Sequence, residues 1–96
     1  MAITFELRDE QGGLIEDGGV VEERELPAFD DLRYPNLRLI DPYGNTVFSA
    51  FQMEHAVLAE LERFAKERPS PNVTRLVGLA RRCSKTIHGY LWCLGD

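Results

Sequence analysis

Arg68-Pro69-Ser70-Pro71 constrains the fold more than any other stretch of the chain. Pro69 cannot continue a helix, because it lacks an N–H and its ring collides with the preceding turn. Two residues later Pro71 suits the first position of a new helix, with Ser70 placed to cap it. Upstream, Ser49 and Gln52 have the spacing of a capping box, and Phe48 and Met53 occupy the positions of a hydrophobic staple. Met53, Val57, Leu61 and Phe64 follow at helical spacing, with Leu58 and Ala65 widening the stripe. Glu54, Glu60, Glu62, Arg63 and Lys66 fall largely on the opposite, solvated face. Downstream, Val73, Leu76, Val77, Ala80, Cys83 and finally Ile87 form a second stripe. The sequence therefore predicts two helices meeting at a break around Pro69. Arg81, Arg82 and Lys85 sit in the last turns of the second helix, where positive charge complements the helix dipole.

The flanks read as strands. Ile3, Phe5 and Leu7 alternate with Thr4, Glu6 and Arg8, a two-residue period with one wet face. Asp9 to Gly13 break it as a turn, and Leu14 to Asp17 carry no firm pattern. Gly18-Gly19 reads as a second break. Val20 to Leu26 reads as a strand that pairs with the first as a hairpin and ends at Pro27. Pro27 to Asn36 is loop-like, and Leu37 to Ile40 reads as a short apolar strand. Asp41-Pro42-Tyr43-Gly44-Asn45 is a turn, with Pro42 supplying its fixed φ and Gly44 free to turn left-handed. Thr46 to Phe48 is extended. Tyr90 to Leu94 is apolar throughout, a last strand bounded by Gly89 and Gly95. The predicted fold is a single α+β domain over residues 1–96. It has a mostly antiparallel sheet of about four strands, a two-helix hairpin on one face and a final strand returning to the sheet.

The charge is uneven. Residues 1–50 carry eleven acids against four bases, while residues 51–96 carry five against seven, giving −5 overall. Nucleic-acid binding draws its affinity from phosphate neutralisation, so an acidic chain argues against it. No apolar run reaches a membrane span. The opening Met1-Ala2-Ile3-Thr4 lacks the basic segment and apolar stretch of a secretory leader, so a cytoplasmic location is expected. In a reducing compartment Cys83 and Cys93 read as buried thiols, while export would leave a single disulfide open.

Catalytic signatures are missing: there is no G-x-S-x-G, no Gly-rich phosphate loop and no HExxH. His55, His88, Cys83 and Cys93 have no recognised metal-ligand spacing. His88, just after the second helix, is placed to sit against that helix's C-terminus. The expectation is a non-enzyme without metal or cofactor. Two groups of residues stand out for binding. Tyr90 and Trp92 lie on the last strand: if Leu91 and Cys93 face the helices, the aromatics and Leu94 lie on the outer face. If the aromatics point inward, Leu91 and Cys93 are outside. Glu22, Glu23, Glu25, Asp30 and Asp31 form the densest acidic run, either an edge kept soluble or a dock for a basic partner.

The turn Asp41-Pro42-Tyr43-Gly44-Asn45-Thr46-Val47-Phe48, Cys83 and the ending Tyr90-Leu91-Trp92-Cys93-Leu94-Gly95-Asp96 resemble a group of small bacterial proteins. That group shares an Asp-Pro-Tyr-Gly-x-Thr-Val-Phe turn, a Cys near the end of the second helix and a Tyr-Leu-x-x-x-Gly-Asp finish. The resemblance covers roughly the C-terminal two-thirds, carries no catalytic residues and implies a bacterial accessory protein. Together these readings point to a protein-binding module, most concretely an immunity-type protein that neutralises a toxin. The alternative is a small-molecule-binding regulatory domain with a pocket between sheet and helices and Tyr43 or Trp92 at its mouth. A homodimer is compatible with both.

Overall fold

In the computed structural model, which describes residues 1–96, the chain runs β1 (Ala2–Arg8), β2 (Leu14–Glu22), β3 (Asn45–Ser49), three helical segments and β4 (Tyr90–Leu94). The four strands form one sheet in the order β2-β1-β4-β3, and every neighbouring pair is antiparallel. The last strand thus fills a central slot between the first and third. Helices α1 (Ala50–Gln52) and α2 (Leu58–Glu67) are joined by a π-helical turn, Met53–Val57, and α3 (Pro71–Lys85) follows antiparallel to α2.

The helix starts form as their residues dictate. The Gln52 amide donates to Ser49 Oγ at 3.1 Å and the Ser49 amide donates back to Gln52 Oε1 at 2.8 Å, closing the capping box. Ser70 caps α3 by accepting from the Val73 amide at 3.2 Å, and Pro71 takes the first position. Met53, Val57, Leu61 and Phe64 from one side and Val73, Leu76, Val77, Ala80 and Cys83 from the other are buried. They close over Ile3, Phe5 and Leu7 of β1, Val21 of β2 and Leu91 and Cys93 of β4 to make one continuous core. Ile87 lies beyond the end of α3 and is exposed, so it does not extend the stripe. Leu79, outside the predicted stripe, is fully buried.

Four local expectations are corrected by tertiary packing. First, β2 does not start at Val20: it runs through Gly18 and Gly19 as a bulged strand, with the register against β1 shifting between Thr4 and Glu6. A Cβ on Gly18 would lie 2.2 Å from Leu79 Cδ2, so the missing side chain is what admits α3 here. Gly19 has φ +79°, the backbone a bulge needs. Past Glu22 the chain leaves the sheet, and Glu23–Glu25 is a 3-10 turn.

Second, Leu37–Leu39 is also a 3-10 turn rather than a strand. Its cause is Glu60, which is 6% exposed instead of solvated. The Glu60 carboxylate accepts from the Asn36 amide at 3.0 Å, the Leu37 amide at 3.2 Å and the Asn36 side chain. A carboxylate that takes two consecutive backbone amides curls them together, and Leu37 and Ile40 drop into the core. Tyr34, from the same loop, is fully buried with its ring edge-on to Phe64 at 5.2 Å.

Third, Gly44 does not take a left-handed conformation. Glycine is needed there because a Cβ would meet Asp41 Oδ2 at 2.8 Å. That Asp41 carboxylate accepts from the Tyr43 amide at 2.8 Å, the local bond expected of Asp at the start of a turn. The turn is then locked by the chain end: the Gly95 amide donates to the Gly44 carbonyl at 2.7 Å and the Asp96 amide to the Pro42 carbonyl at 2.9 Å. A Cβ on Gly95 would lie 2.6 Å from the Pro42 carbonyl. The Asp-Pro-Tyr-Gly and Gly-Asp motifs therefore hold one another.

Fourth, His88 faces the hairpin rather than the end of α3. Its Nδ1 lies 3.8 Å from Glu10 Oε2, and its backbone is left-handed at φ 57°.

Candidate binding face of the sheet

With all three helices on one side of the sheet, the other side is left uncovered. Alternation and register decide what stands there. Ile3, Phe5 and Leu7 point to the core, so Ala2, Thr4, Glu6 and Arg8 point out. Leu91 and Cys93 are buried, so Tyr90, Trp92 and Leu94 are the outward set of β4, each half-buried. Pairing then aligns rows across the strands. One row is Val20, Thr4, Leu94 and Asn45; the next is Asp17, Glu6, Trp92 and Val47; the next is Leu14, Arg8, Tyr90 and Ser49. Val20, Leu14 and Val47 are exposed. The result is an apolar surface centred on two neighbouring aromatics of the inner strand, edged by acids.

Trp92 is held in place. Arg8 lies 4.4 Å from the centre of the Trp92 ring, within cation–π range. Its guanidinium is fixed in turn by Glu6 Oε1, which accepts from Arg8 Nε at 2.9 Å and Nη2 at 2.6 Å. A ring already immobilised this way has less side-chain entropy to lose when a partner covers it. Aromatic and arginine side chains of this kind dominate the energetics of protein interfaces. Glu6 and Arg8 neutralise each other, so the unpaired charge among the rows is that of Asp17, with Glu22 opposite Ala2 at the corner.

The five acids picked out from the sequence do not act as a unit. Glu22 shares the open face with Tyr90 and Trp92, near the N-terminal amine at 3.8 Å. Glu25 is committed inward: it accepts from Ser70 Oγ at 2.6 Å, from Asn72 at 3.2 Å and from the Glu22 amide at 3.1 Å. The Ser70 hydroxyl chiefly holds its carboxyl below the ordinary value. Asp31 is paired with Arg33 at 2.9 Å, and that hydrogen bonding lowers its pKa as well. Glu23 and Asp30 carry no ion pair or side-chain hydrogen bond, but both lie away from the aromatic rows, in the turn and loop after β2. Glu6, Arg8, Asp17, Val20 and Val47 belong to the face and were not singled out from the sequence. The alternation of β1 held the signal for Glu6 and Arg8; Asp17 and Val20 were hidden by the glycine bulge.

Other chemistry-bearing groups are dispersed. Cys83 and Cys93 are free and buried, so neither thiol is presented to solvent. Burial pushes the Cys83 thiol up to about 11 and raises Cys93 further. No three His, Cys, Asp or Glu side chains converge as a metal-ligand set. The space between sheet and helices is filled by the core. The largest concavity, about 720 Å³, lies instead beside the 3-10 turn after β2, and neither Tyr43 nor Trp92 lines it. No helix is long and apolar enough to cross a membrane. No family model, curated protein or solved structure matches the chain.

Proposed function

We propose that this chain is a non-catalytic protein-binding module that docks through the open face of its sheet. The observation that carries the reading is the pair Tyr90 and Trp92, neighbours on the outer face of a central strand, half-buried, flanked by Val20, Val47, Leu14 and Leu94 and covered by no helix. Arg8 covers part of the Trp92 ring, and a partly open aromatic surface of this kind on a central strand suits a protein interface.

The partner is a basic protein. The chain carries −5 overall; Asp17, Glu23 and Asp30 present carboxylates that no internal cation neutralises, and Glu22 is paired only with the N-terminal amine at 3.8 Å. Complementary charge of this sort speeds encounter and fixes orientation. The most concrete form of the reading is an immunity-type protein that neutralises a basic toxin in the bacterial cytoplasm. That step is by analogy of size and charge. It is tested by capturing partners with tagged protein, purifying the basic one recovered, and measuring its affinity for the native chain and for a Trp92→Ala, Tyr90→Ala variant. Equal affinity for both removes the reading.

A further inference from the structure

Three arginines, from three separate segments, line one concavity. Arg24 comes from the 3-10 turn Glu23–Glu25, Arg38 from the turn Leu37–Leu39, and Arg68 caps the end of α2. The concavity has a volume of about 720 Å³, inside the roughly 300–1,000 Å³ of small-molecule sites.

Three of the five arginines without a carboxylate partner share this concavity; the other two are Arg63 and Arg75. Arg8, Arg33, Arg81 and Arg82 each pair with a carboxylate, in a chain where acids outnumber bases. Arg24, Arg38 and Arg68 pair with none. Two of them are nevertheless oriented. Arg68 donates to the Arg24 carbonyl at 2.7 Å, and Arg38 donates to the Phe29 carbonyl at 3.1 Å with its guanidinium 5.6 Å from the Phe29 ring. Each keeps further donors unused, and Arg38 Nε is shielded from solvent with no acceptor at all. The unused terminal N–H groups of the three guanidiniums are the donors an anion would engage, in charge-assisted hydrogen bonds of the strong kind. Around the guanidiniums the wall is apolar, with Leu26, Phe29, Leu39 and Ile40. Glu23 and Asp41 also line it, which leaves a net charge of one positive and two carboxylates able to accept from ligand hydroxyl or amino groups.

We infer that this concavity binds a small organic anion, a carboxylate or phosphate ester carried on an apolar body. The site is separate from the open sheet face and stands whether or not that face binds a protein. The arginines hold the charged end, Phe29 and Leu39 cover the apolar end, and both of those side chains are exposed while the site is unfilled.

The test is an amide chemical-shift titration of the native protein with 1-naphthyl phosphate, 1-naphthoate and uncharged 1-naphthol. The inference predicts saturable shifts confined to residues 23–29, 38–42 and the neighbourhood of Arg68 for at least one anion, with 1-naphthol roughly tenfold weaker or worse. Arg38→Gln and Arg68→Gln should each weaken the anion roughly tenfold. Arg24→Gln, whose side chain makes no internal bond, tests the same charge without touching the fold. The inference is overturned by the absence of saturation at millimolar probe, by equal binding of 1-naphthol, by shifts on the strand face around Trp92, or by full affinity in the folded arginine variants.

Discussion

The guanidinium of Arg8 lies 4.4 Å from the centre of the Trp92 ring on the one side of the sheet that no helix covers. The contact joins neighbouring strands, because Arg8 is paired with Tyr90 and Trp92 with Glu6. It makes the aromatic pair a fixed part of the surface. It also predicts that Arg8→Ala will leave the fold intact and weaken the partner less than loss of Trp92 does, by about 0.5–1 kcal/mol for an exposed cation–π contact. Calorimetry on the purified pair measures both.

Glu60 ties the loop before β3 to α2. Glu60→Ala leaves the Asn36 and Leu37 amides without an acceptor, and should destabilise the protein by about 2–4 kcal/mol. Glu60→Gln retains one acceptor oxygen and should cost less. Denaturant unfolding of the three proteins gives the order; a variant as stable as the native protein would mean that the loop is held by Tyr34 and Leu37 alone.

Gly18 is the point where α3 meets the edge strand. Adding a Cβ forces Leu79 to move, so Gly18→Ala should cost about 1–3 kcal/mol. The cost should shrink in a Leu79→Ala background, because the colliding methyl is gone. Additive losses in that double-mutant cycle would show that the strain lies in the backbone instead.

The buried thiols at the alkaline end and Glu25 at the acid end contribute to the pH dependence of stability. Burial raises the Cys83 thiol from 9.0 to about 11, and Cys93 moves the same way. The native protein keeps both protonated while the unfolded chain ionises, so stability is full below pH 9.0 and falls as pH rises through that window. At neutral pH both thiols should react with a disulfide reagent at the rate of unfolding. At the acid end Glu25, lowered chiefly by Ser70, stabilises above its ordinary 4.5 and loses that contribution as pH falls through its lower native value. Glu25→Gln should shrink the acid-side step, leaving what Asp31 contributes through Arg33, and thermal melts across pH show both ends.

Glu22, Glu23 and Asp30 should govern the rate of encounter with the partner. Reversing all three to lysine is predicted to slow association and flatten its salt dependence while changing dissociation little. Stopped-flow binding at two ionic strengths reads this. Glu25→Lys is expected to act on stability instead, because it strips the acceptor from Ser70.

Much of this was legible from local chemistry. Ser49, Gln52, Ser70 and Pro71 announced both helix starts, and the alternation of Ile3, Phe5 and Leu7 announced the first strand. The apolar run Tyr90 to Leu94 carried the sheet-filling role of the last strand, though not which face held the aromatics. What sequence could not show depended on distant partners. Glu60 reads as one more surface acid until Asn36 and Leu37 arrive to share it. Gly18-Gly19 reads as a break until Leu79 occupies the space that the glycine leaves. Arg24, Arg38 and Arg68 are far apart along the chain, and only the two 3-10 turns and the end of α2 bring them to one rim.

The most direct test of the central claim is the affinity of a purified, captured partner for the native chain, set beside Trp92→Ala in a sample shown to be folded. The open-face account predicts a loss of at least about 2 kcal/mol, roughly thirtyfold in Kd, with most of it in the dissociation rate. A partner that binds Trp92→Ala and Tyr90→Ala as tightly as the native protein would place the interface elsewhere and contradict the account.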